Sequence, residues 1–276
     1  MNPISNIQHS VSDIQKILIK YWGYSHFRPL QEDIINSVLE GKDTLALMTT
    51  GGGKSVCYQI PALAKEGICI VISPLIALMN DQVEFLTRKG IRATMIHSSL
   101  SSREIDLILD NCIHGNIKFL YVSPERLDTD LFIARVQQMN VNLIAVDEAH
   151  CISQWGYDFR PAYMKIVELR KFFPQVPVLA VTASATPEVA IDIQQKLGFK
   201  KEWPSDTNAE DLQKELRPII PPGQQGRKMN GDYAKAIVRI ECTSKSIATI
   251  AGRKAGYQYG NASLPNRGRR MADSGV

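Results

Sequence analysis

No run of eighteen consecutive apolar residues occurs in this 276-residue chain, although 44% of it is hydrophobic, so no membrane-spanning helix is expected. The first ten residues, Met1–Ser10, lack the apolar core of a secretory leader. Cysteine is sparse and scattered. Cys57, Cys69, Cys112, Cys151 and Cys242 form no C-x-x-C pair, and such an odd set argues against a disulfide framework or a zinc site. Reduced thiols in a cytoplasmic protein are the simple reading. No internal repeat is found. Neither sign of charge dominates: the net charge is +4, with 22% of residues charged. The balance is uneven, because residues 1–200 hold 19 Lys and Arg against 20 Asp and Glu, whereas residues 201–276 hold 13 against 8. A basic excess can mark nucleic-acid contact, but these residues are dispersed, which favours a solvated or disordered tail.

Up to about residue 200 the chain alternates short apolar runs with amphipathic segments. The runs Thr44–Met48, Ile68–Ser73, Ala93–His97, Lys118–Val122, Leu143–Asp147 and Val178–Thr182 are rich in Ile, Val and Leu, and unbroken apolar runs suit strands buried on both faces. Helices are expected between them. Ser12 is placed to cap one that includes Ile14, Ile17 and Leu18, and Pro29 to open another through Leu39. Lys54–Ala64, Leu75–Lys89, Ser101–Cys112, Ala162–Phe173 and Pro187–Leu197 follow the same logic. Such alternation predicts a three-layer α/β domain with a mainly parallel sheet over residues 1–200, with ligands at the carboxyl ends of the strands. After Lys200 the pattern breaks. Pro218, Pro221, Pro222, Gly223 and Gly226 crowd one stretch, and only Ala234–Ile240 and Ser246–Ala251 hint at regular structure, so residues 201–276 read as an irregular tail of uncertain fold.

Two segments carry the chemistry. Thr49–Thr50–Gly51–Gly52–Gly53–Lys54–Ser55 follows the first expected strand and precedes a helix, the context of a phosphate-binding Walker A loop. Its glycines let backbone N–H groups approach phosphate oxygens. Lys54 is placed to reach the β- and γ-phosphates of ATP, and Ser55 to ligate Mg²⁺. Met48 stands where the strict pattern has its first glycine. Cys57 and Tyr58, just inside the helix, are packing candidates. The second segment is the apolar run Leu143–Val146 ending in Asp147–Glu148–Ala149–His150. Asp147 there suits Mg²⁺ and Glu148 the attacking water. His150 suits sensing of the γ-phosphate; as a zinc ligand it lacks partners at ligand spacing.

Together these segments resemble superfamily-2 helicases, and their surroundings resemble the RecQ family. Trp22–Gly23–Tyr24 and Phe27–Arg28–Pro29–Leu30–Gln31 are similar to that family's adenine-recognition motif. The resemblance implies that Tyr24 stacks on the base, Gln31 bonds its edges and Arg28 supports the pair. Ser73–Pro74–Leu75–Ile76–Ala77–Leu78–Met79–Asn80–Asp81–Gln82–Val83 is similar to a motif that touches the DNA backbone, with Ser73 and Asn80 as contacts and Leu75, Leu78 and Met79 as core residues. Tyr121–Leu127 is a further family motif, whose Arg126 reads as a DNA contact or an ion-pair partner. Cys151–Pro161 resembles the aromatic-rich RecQ loop: Trp155, Tyr157 and Phe159 suit stacking on unpaired bases, with Gln154 and Arg160 beside them. Thr182–Ala183–Ser184–Ala185–Thr186 is similar to the motif coupling hydrolysis to strand separation, with Ser184 where the family usually has Thr; a Ser/Thr cap before Pro187 is compatible with that role.

The resemblance covers roughly residues 10–200 and implies a RecA-like P-loop domain that uses ATP and Mg²⁺ and engages single-stranded or forked DNA. For the family it implies 3′-to-5′ unwinding in repair and recombination. Such motors hold ATP between two RecA-like domains, the second supplying arginines that stabilise phosphoryl transfer. No second set of buried strands is found in residues 201–276, so the tail is expected to be a frameshift or mis-joining product and the motor incomplete. Two other functions stay open: an ATP- and single-strand-binding module without turnover, and an RNA helicase of the DEAH-box type.

Overall fold

A computed structural model describes residues 11–199 and the short segment 237–239. In chain order the elements are α1 (Val11–Trp22), α2 (Gln31–Leu39), β1 (Thr44–Leu47), α3 (Lys54–Ala64), β2 (Ile68–Ile72), α4 (Ile76–Arg88), β3 (Ala93–Ile96), α5 (Ser102–His114), β4 (Phe119–Val122), α6 (Asp130–Val136), β5 (Val141–Val146), α7 (Ile166–Phe172), β6 (Val178–Thr182), α8 (Pro187–Lys196) and β7 (Ile237–Arg239). Three single 3₁₀ turns lie at Pro124–Arg126, Ala149–Ile152 and Pro161–Lys165. The strands form one sheet in the order β3-β4-β2-β5-β6-β1-β7. Every pairing among β1–β6 is parallel, and β7 runs antiparallel on the β1 edge. The remaining expectations for residues 201–276 lie outside the described residues. Among the described residues no helix is long and apolar enough to cross a membrane.

The continuous apolar runs fold as strands because both sheet faces are covered. Successive side chains point to opposite faces. Leu45, Ile70, Ile144 and Ala180 therefore join one core with Leu109 of α5, Phe132 of α6, Ile166 of α7 and Ile193 of α8. Their neighbours Ala46, Val71, Ala145 and Val181 join the opposite core with Ile34 of α2, Tyr58 of α3 and Met79 of α4. A third cluster, Ile14, Leu18, Ile35 and Ile60, fastens α1 over α2 and α3. Cys57 and Tyr58 are buried core residues, as expected of them.

Several local expectations need correction. Pro29 does not open α2. Leu30 takes a left-handed φ of 72°, and the helix begins at Gln31. Ser12 lies inside α1 rather than before it. Ala162–Phe173 is a 3₁₀ turn followed by the shorter α7. Leu75 and Leu78 are not core residues but are each 43% exposed, whereas Met79 is fully buried. The reasons differ: Leu75 is the extended residue that precedes α4, with φ −116°, whereas helical phase turns Met79, Val83 and Leu86 toward the sheet and Leu78 away from it. α6 went unanticipated; it is one short segment held by buried Phe132 and Val136.

One largely enclosed ion pair, its side chains 14% and 12% exposed, ties the edges of the domain together. Arg170 of α7 bonds Asp43, just before β1, and donates to the Leu197 carbonyl at 3.0 Å. Asp43 also accepts from the Val178 amide at 3.0 Å. Removing one partner of a buried pair strands the other's charge. Arg170→Ala is therefore expected to lower unfolding free energy by about 3 kcal/mol, read from urea denaturation; a change below ~1 kcal/mol would mean that water already satisfies Asp43.

Candidate nucleotide and strand site

A parallel sheet brings the carboxyl ends of its strands to one edge, and the motifs lie there. β1 leads into the Thr49–Ser55 loop, β6 into Thr182–Thr186, β5 into Asp147–His150, β2 into Ser73–Pro74 and β4 into Ser123–Pro124. Because β1, β6, β5, β2 and β4 are consecutive neighbours in the sheet, these turns form one continuous rim.

The phosphate loop closes on itself through the Gly52 amide, which donates to the Thr49 carbonyl at 3.0 Å. Two of its glycines are obligatory. A Cβ on Gly52 would lie 2.9 Å from the Thr49 oxygen. Gly53 sits at φ 82°, and a Cβ there would meet the Gln31 amide nitrogen at 2.3 Å. Gln31 is buried beneath the loop. Its amide nitrogen lies 3.2 Å from the Gly52 oxygen and 3.3 Å from the Gly53 oxygen, and its own oxygen accepts from the Arg28 amide at 2.9 Å. The Arg28 guanidinium donates to the Gly51 carbonyl at 2.5 Å. Arg28 and Gln31, expected at the adenine, thus brace the phosphate loop, while Tyr24 projects into solvent, 54% exposed. Thr50 is exposed at the loop tip, and Ser55 is half-buried beside Lys54 at the start of α3.

Lys54 and Glu148 are 94 residues apart in sequence and form a 2.8 Å ion pair across the cleft. The second Glu148 oxygen lies 3.3 Å from His150 Nδ1, and that nitrogen is 2.8 Å from the hydroxyl of fully buried Thr182. The Thr182 oxygen in turn accepts from the Ser184 amide at 3.3 Å, while the Ser184 side chain faces solvent. One chain of contacts therefore runs from the phosphate loop to the turn after β6. Glu148 holds a left-handed φ of 47°. It and Leu30 are the two non-glycine residues with positive φ among the described residues, and both flank this site; such strained backbone persists where surrounding contacts hold it.

The two carboxylates of the acidic turn have opposite electrostatics. Burial pushes the Asp147 pKa up to about 6, with Glu148 adding to the rise and Lys54 opposing it. The hydrogen bond from His150, then that from Lys54, holds Glu148 down at about 2 against its own burial. The Asp147 backbone is fixed by its amide, which donates to the Ile72 oxygen at 2.8 Å, and by the Tyr163 hydroxyl, which donates to its carbonyl at 2.9 Å. Nothing in the sequence singled out Tyr163. Its burial and this bond come from the 3₁₀ turn at Pro161–Lys165.

The aromatic segment is a closed loop. The Arg160 amide donates to the Cys151 carbonyl at 2.8 Å, and Ser153 Oγ donates to Asp192 of α8 at 2.6 Å while accepting from the Trp155 amide at 3.2 Å. Trp155 is 78% exposed and Tyr157 fully exposed, with Gln154 beside them. Phe159 is only half-buried, with the Lys196 ammonium 5.6 Å from its ring. Arg160 turns inward, donating to Asp158 at 3.0 Å and to the Pro74 carbonyl at 3.2 Å, which joins the loop to the β2–α4 turn. In that turn Ser73 is buried with its hydroxyl unpartnered among the described residues, and Asn80 is exposed on α4. Among the described residues Arg126 forms no ion pair; it donates to the carbonyls of His97, Ser98 and Leu100 and shapes the β3–α5 connection. Thr186 caps α8 by accepting from the Val189 amide at 3.4 Å, as the Ser/Thr cap reading requires.

Comparison with known proteins places this geometry. The DEAD/DEAH box helicase family matches residues 28–193. The ATP-dependent DNA helicase RecQ of Bacillus subtilis is 49% identical over 190 residues, covering 68% of this chain and 32% of that protein. The ATP-dependent DNA helicase RecQ of Haemophilus influenzae is 46% identical over 184 residues, covering 67% and 30% respectively. The chain thus spans about a third of the length of the curated relatives that it matches.

Proposed function

Because the chain belongs to the DEAD/DEAH box helicase family, in its RecQ branch, we propose that it is the ATP-hydrolysing, strand-contacting part of a DNA-unwinding motor. The observation that carries this reading is the unbroken contact chain Lys54–Glu148–His150–Thr182, which links a phosphate loop to the turns that flank an exposed aromatic loop. Lys54 binds the β- and γ-phosphates in place of Glu148. Glu148, released on one side and still oriented by His150, accepts a proton from the attacking water. His150 and Thr182 pass the change at the γ-phosphate toward Ser184 and the loop beginning at Cys151.

Magnesium fits the residues present. Asp147 is a half-buried carboxylate whose charge nearby cations leave undercompensated, and a divalent cation would supply that compensation, with Ser55 as the second protein oxygen. Bound there, Mg²⁺ neutralises charge developing on the transferred phosphoryl group. Tyr24, freely exposed, stacks on the adenine. The Gln31 amide reaches the base only by exchanging a bond that it now makes to the phosphate loop.

Unpaired DNA is the proposed second ligand. Trp155 and Tyr157 present stacking faces on a loop anchored at both ends, and Leu75, Ile76 and Leu78 extend an apolar edge from the turn that Arg160 touches. Stacking on one aromatic contributes about 1–3 kcal/mol per base. Trp155→Ala with Tyr157→Ala is expected to weaken single-strand binding by at least about tenfold without altering nucleotide affinity, measured by fluorescence anisotropy. Unchanged DNA affinity would remove the loop from the interface. RNA of the same sequence serves as competitor: preference for RNA would favour the RNA-helicase reading. A second reading, nucleotide binding without turnover, draws support from the occupation of both Glu148 oxygens.

A further inference from the structure

The aromatic loop leaves and returns beside His150, and its two ends bring together side chains that no part of the hydrolysis scheme uses jointly. Donor atoms of His150, Cys151 and Asp158 all lie within 4.8 Å of one another. Cys151 Sγ is 3.9 Å from His150 Nε2 and 3.6 Å from Asp158 Oδ2. Among the described residues no other trio of His, Cys, Asp and Glu comes so close. We propose that His150, Cys151 and Asp158 bind a divalent cation of the zinc class, at the base of the aromatic loop and separate from the Mg²⁺ position at Asp147.

The donor set suits such an ion. A thiolate, an imidazole and a carboxylate are the ligands of borderline-soft Zn²⁺, and a fourth position is left for water. Bond lengths of about 2.0–2.3 Å put tetrahedral donor atoms roughly 3.3–3.8 Å apart, so the two sulfur distances need close by only tenths of an ångström. The other ring nitrogen is already engaged. His150 Nδ1 faces Thr182 Oγ1 at 2.8 Å and Glu148 Oε2 at 3.3 Å. This is the outer-shell arrangement that fixes a ligating imidazole with Nε2 directed at the metal.

Binding is balanced by proton release. Burial, then the Asp158 charge, pushes the Cys151 thiol up to about 12, so the thiol is protonated when free. The S–H proton leaves to solvent as the metal–sulfur bond forms. The neutral imidazole ligates through Nε2 and keeps its proton on Nδ1. Asp158 already shares Oδ2 with Arg160 at 3.0 Å, and the cation takes the place of the thiol hydrogen on that oxygen. Both ends of the loop are then tied to His150.

The test uses the full chain with Cys242→Ser, so that the tail thiol cannot contribute. Cd²⁺ is titrated while the thiolate-to-metal charge-transfer absorption is read, and Zn²⁺ is then added to displace it. We expect one saturable equivalent, lost in Cys151→Ser and weakened about tenfold or more in Asp158→Asn. A band of equal amplitude in Cys151→Ser, or none in the parent chain, overturns the site. Should Cys151→Ser fail to fold, the exposed Asp158→Asn still decides: unchanged affinity overturns the proposal as well. Neither readout depends on ATP hydrolysis or DNA.

Discussion

Glu148→Gln is expected to lower ATP hydrolysis by about a hundred- to ten-thousand-fold, the usual range for loss of a positioned general base, while ATP still binds. The substitution keeps the shape of the side chain and its bond from Lys54 but removes the charge. In the free protein that charge is spent on Lys54 at 2.8 Å and His150 at 3.3 Å. The phosphates of ATP must compete with Glu148 for Lys54, so the neutral amide is expected to tighten nucleotide binding by several-fold. Equilibrium binding of a fluorescent ATP analogue and single-turnover hydrolysis separate the two effects. A variant that loses binding and turnover together would make Glu148 a structural partner of Lys54 rather than a base.

Asp147→Asn is expected to stabilise the free fold and abolish Mg²⁺-dependent nucleotide binding. Burial lifts the Asp147 pKa from 3.8 to about 6. Between those values the folded state binds more protons than the unfolded state. Stability contributed by this group therefore rises as pH falls from 6 toward 3.8, and above pH 6 the buried charge is a penalty. At about 1.4 kcal/mol per pK unit the penalty is of order 3 kcal/mol. The amide removes it while keeping an oxygen to accept from the Glu148 amide, now at 3.0 Å. Glu148 behaves oppositely. Its pKa falls from 4.5 to about 2, so its contribution is fully present above pH 4.5 and is lost as pH drops toward 2. Thermal melts of wild type from pH 7 down to 5 should show a gain that Asp147→Asn lacks. Equal pH dependence in the two chains would mean that Asp147 is solvated in the free protein.

The strands were legible because each is an unbroken apolar run; β6 occupies Val178–Thr182 as read, and α3 spans the expected Lys54–Ala64. Motif spacing also located the turns of the rim, since a parallel sheet must gather strand ends on one side. What sequence could not reveal is pairing across the cleft. Nothing near Lys54 indicates that its partner lies at Glu148, and nothing near His150 indicates that its ring meets Thr182. The closeness of His150, Cys151 and Asp158 was hidden for a related reason. Ligand spacing was sought along the chain, whereas Asp158 returns to Cys151 through a loop closed by the Arg160 amide. Gly156 makes that loop possible, because a Cβ there would lie 2.9 Å from the His150 oxygen. Leu78 was misplaced because apolar character alone does not report helical phase, and Leu75 because it precedes α4 as an extended residue.

The most direct test of the account is ATP hydrolysis by the purified chain with and without single-stranded DNA, beside Lys54→Ala. The account predicts Mg²⁺-dependent hydrolysis that DNA stimulates and that Lys54→Ala abolishes. Nucleotide binding that requires Lys54, with no turnover even when DNA is saturating, would contradict it and leave a binding module in place of a motor.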